Sequence, residues 1–138
     1  MEMSSEIKVL VFGTYDVFHP GHNFFFEQAL ENGDLLIVVV ALDKTVEQIK
    51  GSLPKNSQEK RLKCIQESKL VNKAILGHPG DKYAVIERIN PDVICLGYDQ
   101  NAFTDKLKSE LAKRGLHPKI VRIDKSFFPE KYKSSILK

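Results

Sequence analysis

Unbroken apolar runs alternate along this chain with stretches whose apolar positions recur every three or four residues. Ile7 to Phe12 is aliphatic and β-branched and predicts a first strand. Gly21 to Asn32 has helical spacing and stops at Gly33. Leu35 to Leu42 is almost continuous aliphatic, as expected of a parallel strand covered on both faces. Lys44 to Lys50 predicts a short helix, and Gly51 to Asn56 a polar loop. Ser57 is placed to cap a helix running to about Ser68. A third strand is expected over Val71 to Leu76. A helix follows over Lys82 to Ile89, stopped by Asn90 and Pro91. Val93 to Leu96 predicts a fourth strand, Phe103 to Arg114 a helix ended by Gly115, and Lys119 to Ile123 a fifth strand. A last helical turn is expected near Ser134 to Leu137.

Strands that alternate with helices cannot pair as hairpins, because each crossover returns the chain to the same sheet edge. The expected fold is therefore α/β: a doubly wound, five-stranded parallel sheet with right-handed crossovers. With 138 residues, no internal repeat and no linker-like stretch, the chain reads as a single domain over 1–138. In such a sheet a ligand binds outside the carboxyl ends of the strands, where the strand order reverses.

That rule draws attention to the residues after the first strand, Gly13-Thr14-Tyr15-Asp16-Val17-Phe18-His19-Pro20-Gly21-His22. Gly13 lets a ligand approach the backbone. Pro20 and Gly21 stand where a helix begins, and its first N–H groups and positive dipole end suit phosphate. His19 and His22, three residues apart, can both reach one phosphoryl group. The two imidazoles have other uses open to them, as structural groups or as transition-metal ligands with Asp16. No further Cys or His cluster supports a metal site. His78 follows the third strand on the same edge of the sheet, although a turn beside a proline equally fits a surface role. Phe127 and Phe128 are either core residues or an apolar wall for an aromatic acceptor.

Composition narrows the class. Net charge is +3, but the lysines are scattered, with no dense basic block and no nucleic-acid-binding motif, so a small anionic substrate is expected rather than nucleic acid. The longest apolar run, Leu35 to Leu42, is too short to span a bilayer, and the polar, acidic start is no secretory signal. We therefore expect a cytoplasmic protein without membrane contact. Cys64 and Cys95 are both expected as reduced core residues.

The Gly13 to His22 segment resembles the His-x-Gly-His nucleotidyltransferase superfamily, which has a Rossmann-like fold. The superfamily includes glycerol-3-phosphate cytidylyltransferases, pantetheine-phosphate adenylyltransferases and archaeal-type FAD synthetases. The resemblance covers nearly the whole chain. It implies a nucleotidyltransferase in which His19 and His22 serve the α-phosphate, with Gly13, Thr14, Tyr15, Asp16 and Gly21 around the nucleotide. Val40-Ala41-Leu42-Asp43 ends the second strand as in the cytidylyltransferase-like group, which puts Asp43 among the expected acceptor-binding residues with His78, Phe127 and Phe128. Lys50 precedes the loop that carries a basic residue in that group, and Arg61 matches the arginine on the helix after it. The resemblance implies that Lys50, Arg61, Ser134 and Ser135 neutralise the β- and γ-phosphates or the acceptor phosphate. Gly97 and Asp99 correspond to a Gly-x-Asp segment lining the nucleoside pocket. The C-terminal Lys133-Ser134-Ser135 departs from the pattern at Lys133, where a hydroxyl residue is usual.

Among subfamilies, Leu76 to Asp81 and Pro91 to Gln100 look most like archaeal-type FAD synthetases. That implies transfer of AMP from ATP to FMN, with Mg²⁺ carried on the triphosphate, and a homodimer to which the Phe24-Phe25-Phe26 run contributes. Two other readings stay open from these residues: a cytidylyltransferase acting on glycerol 3-phosphate or a similar polyol phosphate, and a non-catalytic nucleotide sensor on the same fold.

Overall fold

The computed structural model describes residues 6–16, 20–78, 82–97 and 104–123. Its elements, in chain order, are β1 (Lys8–Gly13), α1 (Pro20–Leu30), β2 (Leu35–Val40), α2 (Asp43–Lys50), α3 (Gln58–Gln66), β3 (Lys73–Leu76), α4 (Lys82–Ile89), β4 (Val93–Gly97), α5 (Thr104–Lys113) and β5 (Lys119–Ile123). The strands form one sheet in the order β3-β2-β1-β4-β5, and every pairing is parallel. The chain winds outward from β1 to β3, then returns to the other side of β1 with β4. The strand order therefore reverses between β1 and β4.

Burial follows the two-residue period of the strands and divides the core in two. Val9, Val11, Leu36, Val38 and Val40 pack with Phe26 and Ala29 of α1 and Ile65 of α3. Leu10, Ile37 and Val39 face the opposite way, onto Val85 and Ile86 of α4 and Leu107 and Leu111 of α5. Covered on both faces, β2 has no polar position to spare, hence its sequence Leu-Leu-Ile-Val-Val-Val.

Several boundaries differ from the expected ones for local reasons. β2 ends at Val40, and α2 starts at Asp43, whose carboxylate sits in the first turn where the helix dipole favours it. Gly51, at φ +83°, closes α2 and donates its N–H to the Glu47 carbonyl at 2.8 Å. β3 begins at Lys73 rather than Val71, because the Asn72 side chain turns back to accept the Leu36 N–H at 2.8 Å. α3 is capped by Ser57 as expected, its hydroxyl accepting from the Lys60 N–H, but the helix stops at Gln66. Cys64 corrects the sequence reading: it is exposed, off the buried stripe of Arg61 and Ile65. Cys95 is buried, and burial pushes its thiol up to about 11. Among the described residues no helix is long and apolar enough to cross a membrane. The expected turn at Ser134 to Leu137 lies outside the described residues.

Candidate active site

At the point where the strand order reverses, the sheet opens. The register between β1 and β4 covers only Val9↔Val93 and Leu10↔Ile94, although β1 runs on to Gly13 and β4 to Gly97. On its other side β1 stays paired to β2 through Gly13↔Val40, and β4 stays paired to β5 through Gly97↔Ile123. A crevice therefore lies between the last residues of β1 and β4, at the carboxyl edge, where ligands of such sheets bind.

The turn that leaves β1 lines this crevice. Tyr15 is at φ +53°, a left-handed conformation that is uncommon for an aromatic residue and costs about 1 kcal/mol or more. Its ring is buried against the core, tilted against Phe26 at 5.6 Å between centroids and edge-on to the half-buried His22 ring at 5.1 Å. The hydroxyl of Tyr15 is buried with no hydrogen-bond partner, and its pKa is raised by desolvation. Folding the ring inward turns the backbone of this segment outward. The amide N–H groups of Thr14, Tyr15 and Asp16 donate to no acceptor among the described residues. Beside the first turn of α1, which opens at Pro20, these amides are suited to phosphoryl oxygens.

The structure gives two acidic residues tasks other than those expected of them. Asp16 faces the loop before α3. Its carboxylate accepts from the amides of Lys55 and Asn56, both at 2.8 Å, and from the Asn56 side chain at 3.2 Å. The Asn56 side chain also donates to the Asp16 carbonyl at 2.5 Å. The hydrogen bond from the Lys55 amide, aided by those from Asn56, holds the Asp16 carboxyl below the ordinary aspartate range. Asp43, expected beside the acceptor, is bound to Arg61 instead, with Nη2 to Oδ1 at 2.6 Å. The Asp43 amide donates to the Gln58 side chain at 2.8 Å.

Arg61, expected at the outer phosphates, is wholly buried. Its Nε donates to the Asn56 carbonyl at 3.0 Å, and its Nη1 to the carbonyls of Thr14 at 2.8 Å and Ala41 at 2.7 Å. Thr14 and Ala41 are the first residues past the last rung of the β1–β2 ladder, Gly13↔Val40 and its bond from the Ala41 N–H to the Gly13 carbonyl. The guanidinium thus takes over where the ladder ends, satisfying carbonyls that the diverging strands leave behind. The sequence signal for this was the i, i+4 spacing with Ile65, which sets Arg61 on the buried stripe of α3. Asn56 and Gln58 complete the network and escaped sequence reading.

The remaining expected residues fall apart spatially. Lys50 is exposed in the last turn of α2, seven residues or about 10 Å along the helix axis from Asp43. His78 is exposed just past β3, two strand spacings or about 10 Å from β1. Gly97 closes β4 at the crevice, and Gly21 lies in the first turn of α1. His19, Asp99, Phe127, Phe128, Lys133, Ser134 and Ser135 lie outside the described residues.

Fold and site together define a Rossmann-like α/β domain whose first strand is followed by a turn with amides suited to phosphate. The family model described as cytidylyltransferase-like matches residues 10–138, and the chain belongs to that family. It is 39% identical over its whole length to an FAD synthase of Thermococcus sibiricus, covering 90% of that protein. It is 46% identical to an FAD synthase of Methanosarcina mazei, over 84% of this chain and 76% of that one. Among solved structures it resembles the lipopolysaccharide core biosynthesis protein of Thermoplasma volcanium, with a TM-score of 0.83 and 39% identity over 89% of this chain and 99% of that chain. A pantoate-beta-alanine ligase from Francisella tularensis shares the fold at a TM-score of 0.62 and 12% identity, over 88% of this chain and 60% of that one.

Proposed function

We propose that this chain is an FMN adenylyltransferase, joining AMP from ATP to FMN to form FAD and pyrophosphate. The observation that carries this reading is its likeness, along its whole length, to proteins named FAD synthase, at 39% identity to that of Thermococcus sibiricus. The geometry at the crevice suits the chemistry. A phosphate oxygen of FMN attacks the α-phosphorus of ATP in line, a new P–O bond forms, and the bond to the β-phosphate oxygen breaks as pyrophosphate leaves. The reaction needs no protein nucleophile, so positioning and charge stabilisation carry it. The amides of Thr14 to Asp16, which have no acceptor among the described residues, the first turn of α1 and the His22 ring are the groups proposed to receive the α-phosphoryl oxygens.

Mg²⁺ enters this proposal as part of the substrate, MgATP, held mainly by phosphate oxygens and water. The Asp16 and Asp43 carboxylates are already engaged by protein donors, which favours a metal that travels with the nucleotide over one anchored by either. A cytoplasmic homodimer belongs to the same proposal. Of the Phe24-Phe25-Phe26 run proposed for the subunit contact, Phe26 is buried in the core and Phe25 packs against it. Sedimentation at micromolar concentration tests the dimer. The activity is tested by incubating the chain with MgATP and FMN and following FAD and pyrophosphate, with CTP and glycerol 3-phosphate in parallel. FAD formed only from ATP and FMN is the expected result. Pyrophosphate released only from CTP and glycerol 3-phosphate would replace this acceptor and base while keeping the reaction class.

A further inference from the structure

Arg61 sits behind the phosphate-accepting turn, not in it. A buried arginine is costly to desolvate, and removing it alone would strand the Thr14, Ala41 and Asn56 carbonyls and the Asp43 carboxylate. The direction of one peptide plane gives Arg61 a task beyond folding. Peptide bonds among the described residues are trans. In a trans peptide the carbonyl and the following N–H point in opposite directions within one rigid plane. Arg61 Nη1 holds the Thr14 carbonyl at 2.8 Å, so the Tyr15 N–H is directed away from Arg61. That N–H has no acceptor among the described residues.

The plane is held from more than one side. The same Nη1 grips the Ala41 carbonyl of the neighbouring strand, Nε grips the Asn56 carbonyl, and Asp43 holds Nη2. The guanidinium is therefore fixed in position and angle by three main-chain segments and one carboxylate. Asp16, the residue after Tyr15, is tied to Asn56, so the far end of the turn is fastened to the same loop that Arg61 grips. Tyr15 stays at its unfavourable φ of +53° within this frame.

We propose that Arg61 is a positioning residue: through the Thr14 carbonyl it aims the Tyr15 N–H at the phosphoryl group being transferred. This rests on the reading of the chain as a nucleotidyltransferase. The cation acts on the phosphate through one peptide plane, and the side chain itself meets no ligand. A lysine at this position keeps the charge but not the fork that reaches four acceptors.

The test compares wild type with Arg61→Lys, in steady-state kinetics with MgATP and FMN and in amide NMR. The expected result is a kcat lower by roughly 10²–10³, the usual loss for a misplaced donor to developing charge, with the KM for ATP within about threefold. In wild type the Tyr15 amide resonance should move when inorganic triphosphate with Mg²⁺ is added, and in Arg61→Lys that movement should shrink. A raised KM for ATP with unchanged kcat would make Arg61 a direct charge contact and overturn the proposal. So would a wild-type Tyr15 amide that ignores triphosphate, a result available even if Arg61→Lys fails to fold. Triphosphate carries no base and no acceptor. A wild-type chain whose Tyr15 amide responds to it but which makes no FAD defeats the FMN reading and supports the aiming of Tyr15.

Discussion

The ring of Tyr15 lies over the bare Cα of Gly13: a Cβ built at position 13 would stand 2.4 Å from Tyr15 Cζ and 2.8 Å from its hydroxyl oxygen. The two residues are thus one unit, the missing side chain of the first making room for the inward-folded ring of the second. Gly13→Ala should force the ring or the turn to move and cost about 1–3 kcal/mol, the usual penalty of overpacking. Thermal unfolding of Gly13→Ala, Tyr15→Ala and the double variant checks this. In the Tyr15→Ala background the extra methyl should cost almost nothing, and equal costs in both backgrounds would show that the two residues are not coupled.

The same ring carries a buried hydroxyl without a partner. A buried donor left unsatisfied costs about 1–3 kcal/mol. Tyr15→Phe, which removes the group and keeps the ring, should therefore leave the melting temperature unchanged or raise it. A drop of several degrees would mean that the hydroxyl is satisfied in the folded protein.

Asp16 fixes the loop at Lys55 and Asn56 through its charged form. Its carboxyl is lowered in the folded state, so the stabilisation is present above the ordinary aspartate value of about 3.9 and is lost as pH falls through the lower folded value. Hydrogen exchange at the Lys55 and Asn56 amides should show protection at neutral pH that is still present at the ordinary aspartate value of about 3.9 and is lost only at lower pH. Asp16→Ala should lack this protection at every pH. Protection that persists in Asp16→Ala would show that the carboxylate is not the anchor.

His22→Ala should keep the fold, because the ring is only half-buried and meets the Tyr15 ring edge-on. Turnover should fall by roughly 10²–10³, as for the loss of a donor to a developing charge. A folded His22→Ala variant that makes FAD at the wild-type rate would remove His22 from the mechanism.

The alternation of apolar runs with helical spacing was enough to place all five strands and to locate the carboxyl edge of the sheet, because strands covered on both faces leave an unbroken aliphatic record. The start of α1 at Pro20, just past the carboxyl end of β1, was legible because a proline and a glycine stand where a helix begins. The fate of the charged residues was not legible. The spacing with Ile65 sets Arg61 on the inward face of α3, but its acceptors, the carbonyls of Thr14, Ala41 and Asn56, come together from three separate segments that no local pattern links. Asp16 and Asp43 likewise find partners 39 and 18 residues or so away along the chain, contacts no local pattern encodes. Cys64 shows the converse, a residue of buried type that a one-position shift in helical phase leaves in solvent.

Among the described residues the sheet parts the interior into two chambers with no buried side chain in common. Tyr15, Phe26 and Ile65 belong to one, Ile86, Leu107 and Leu111 to the other. The turn after β1, which we propose meets phosphate, leans on the first chamber, since the Tyr15 ring is embedded there. Tolerance to change should accordingly be lopsided. Repacking under α4 and α5 alters the stability of the domain while the phosphate turn keeps its shape, whereas a change beneath α1 or α3 reaches the chemistry through the Tyr15 ring. Drift in sequence can proceed under one half of this small domain at a pace that the other half does not permit.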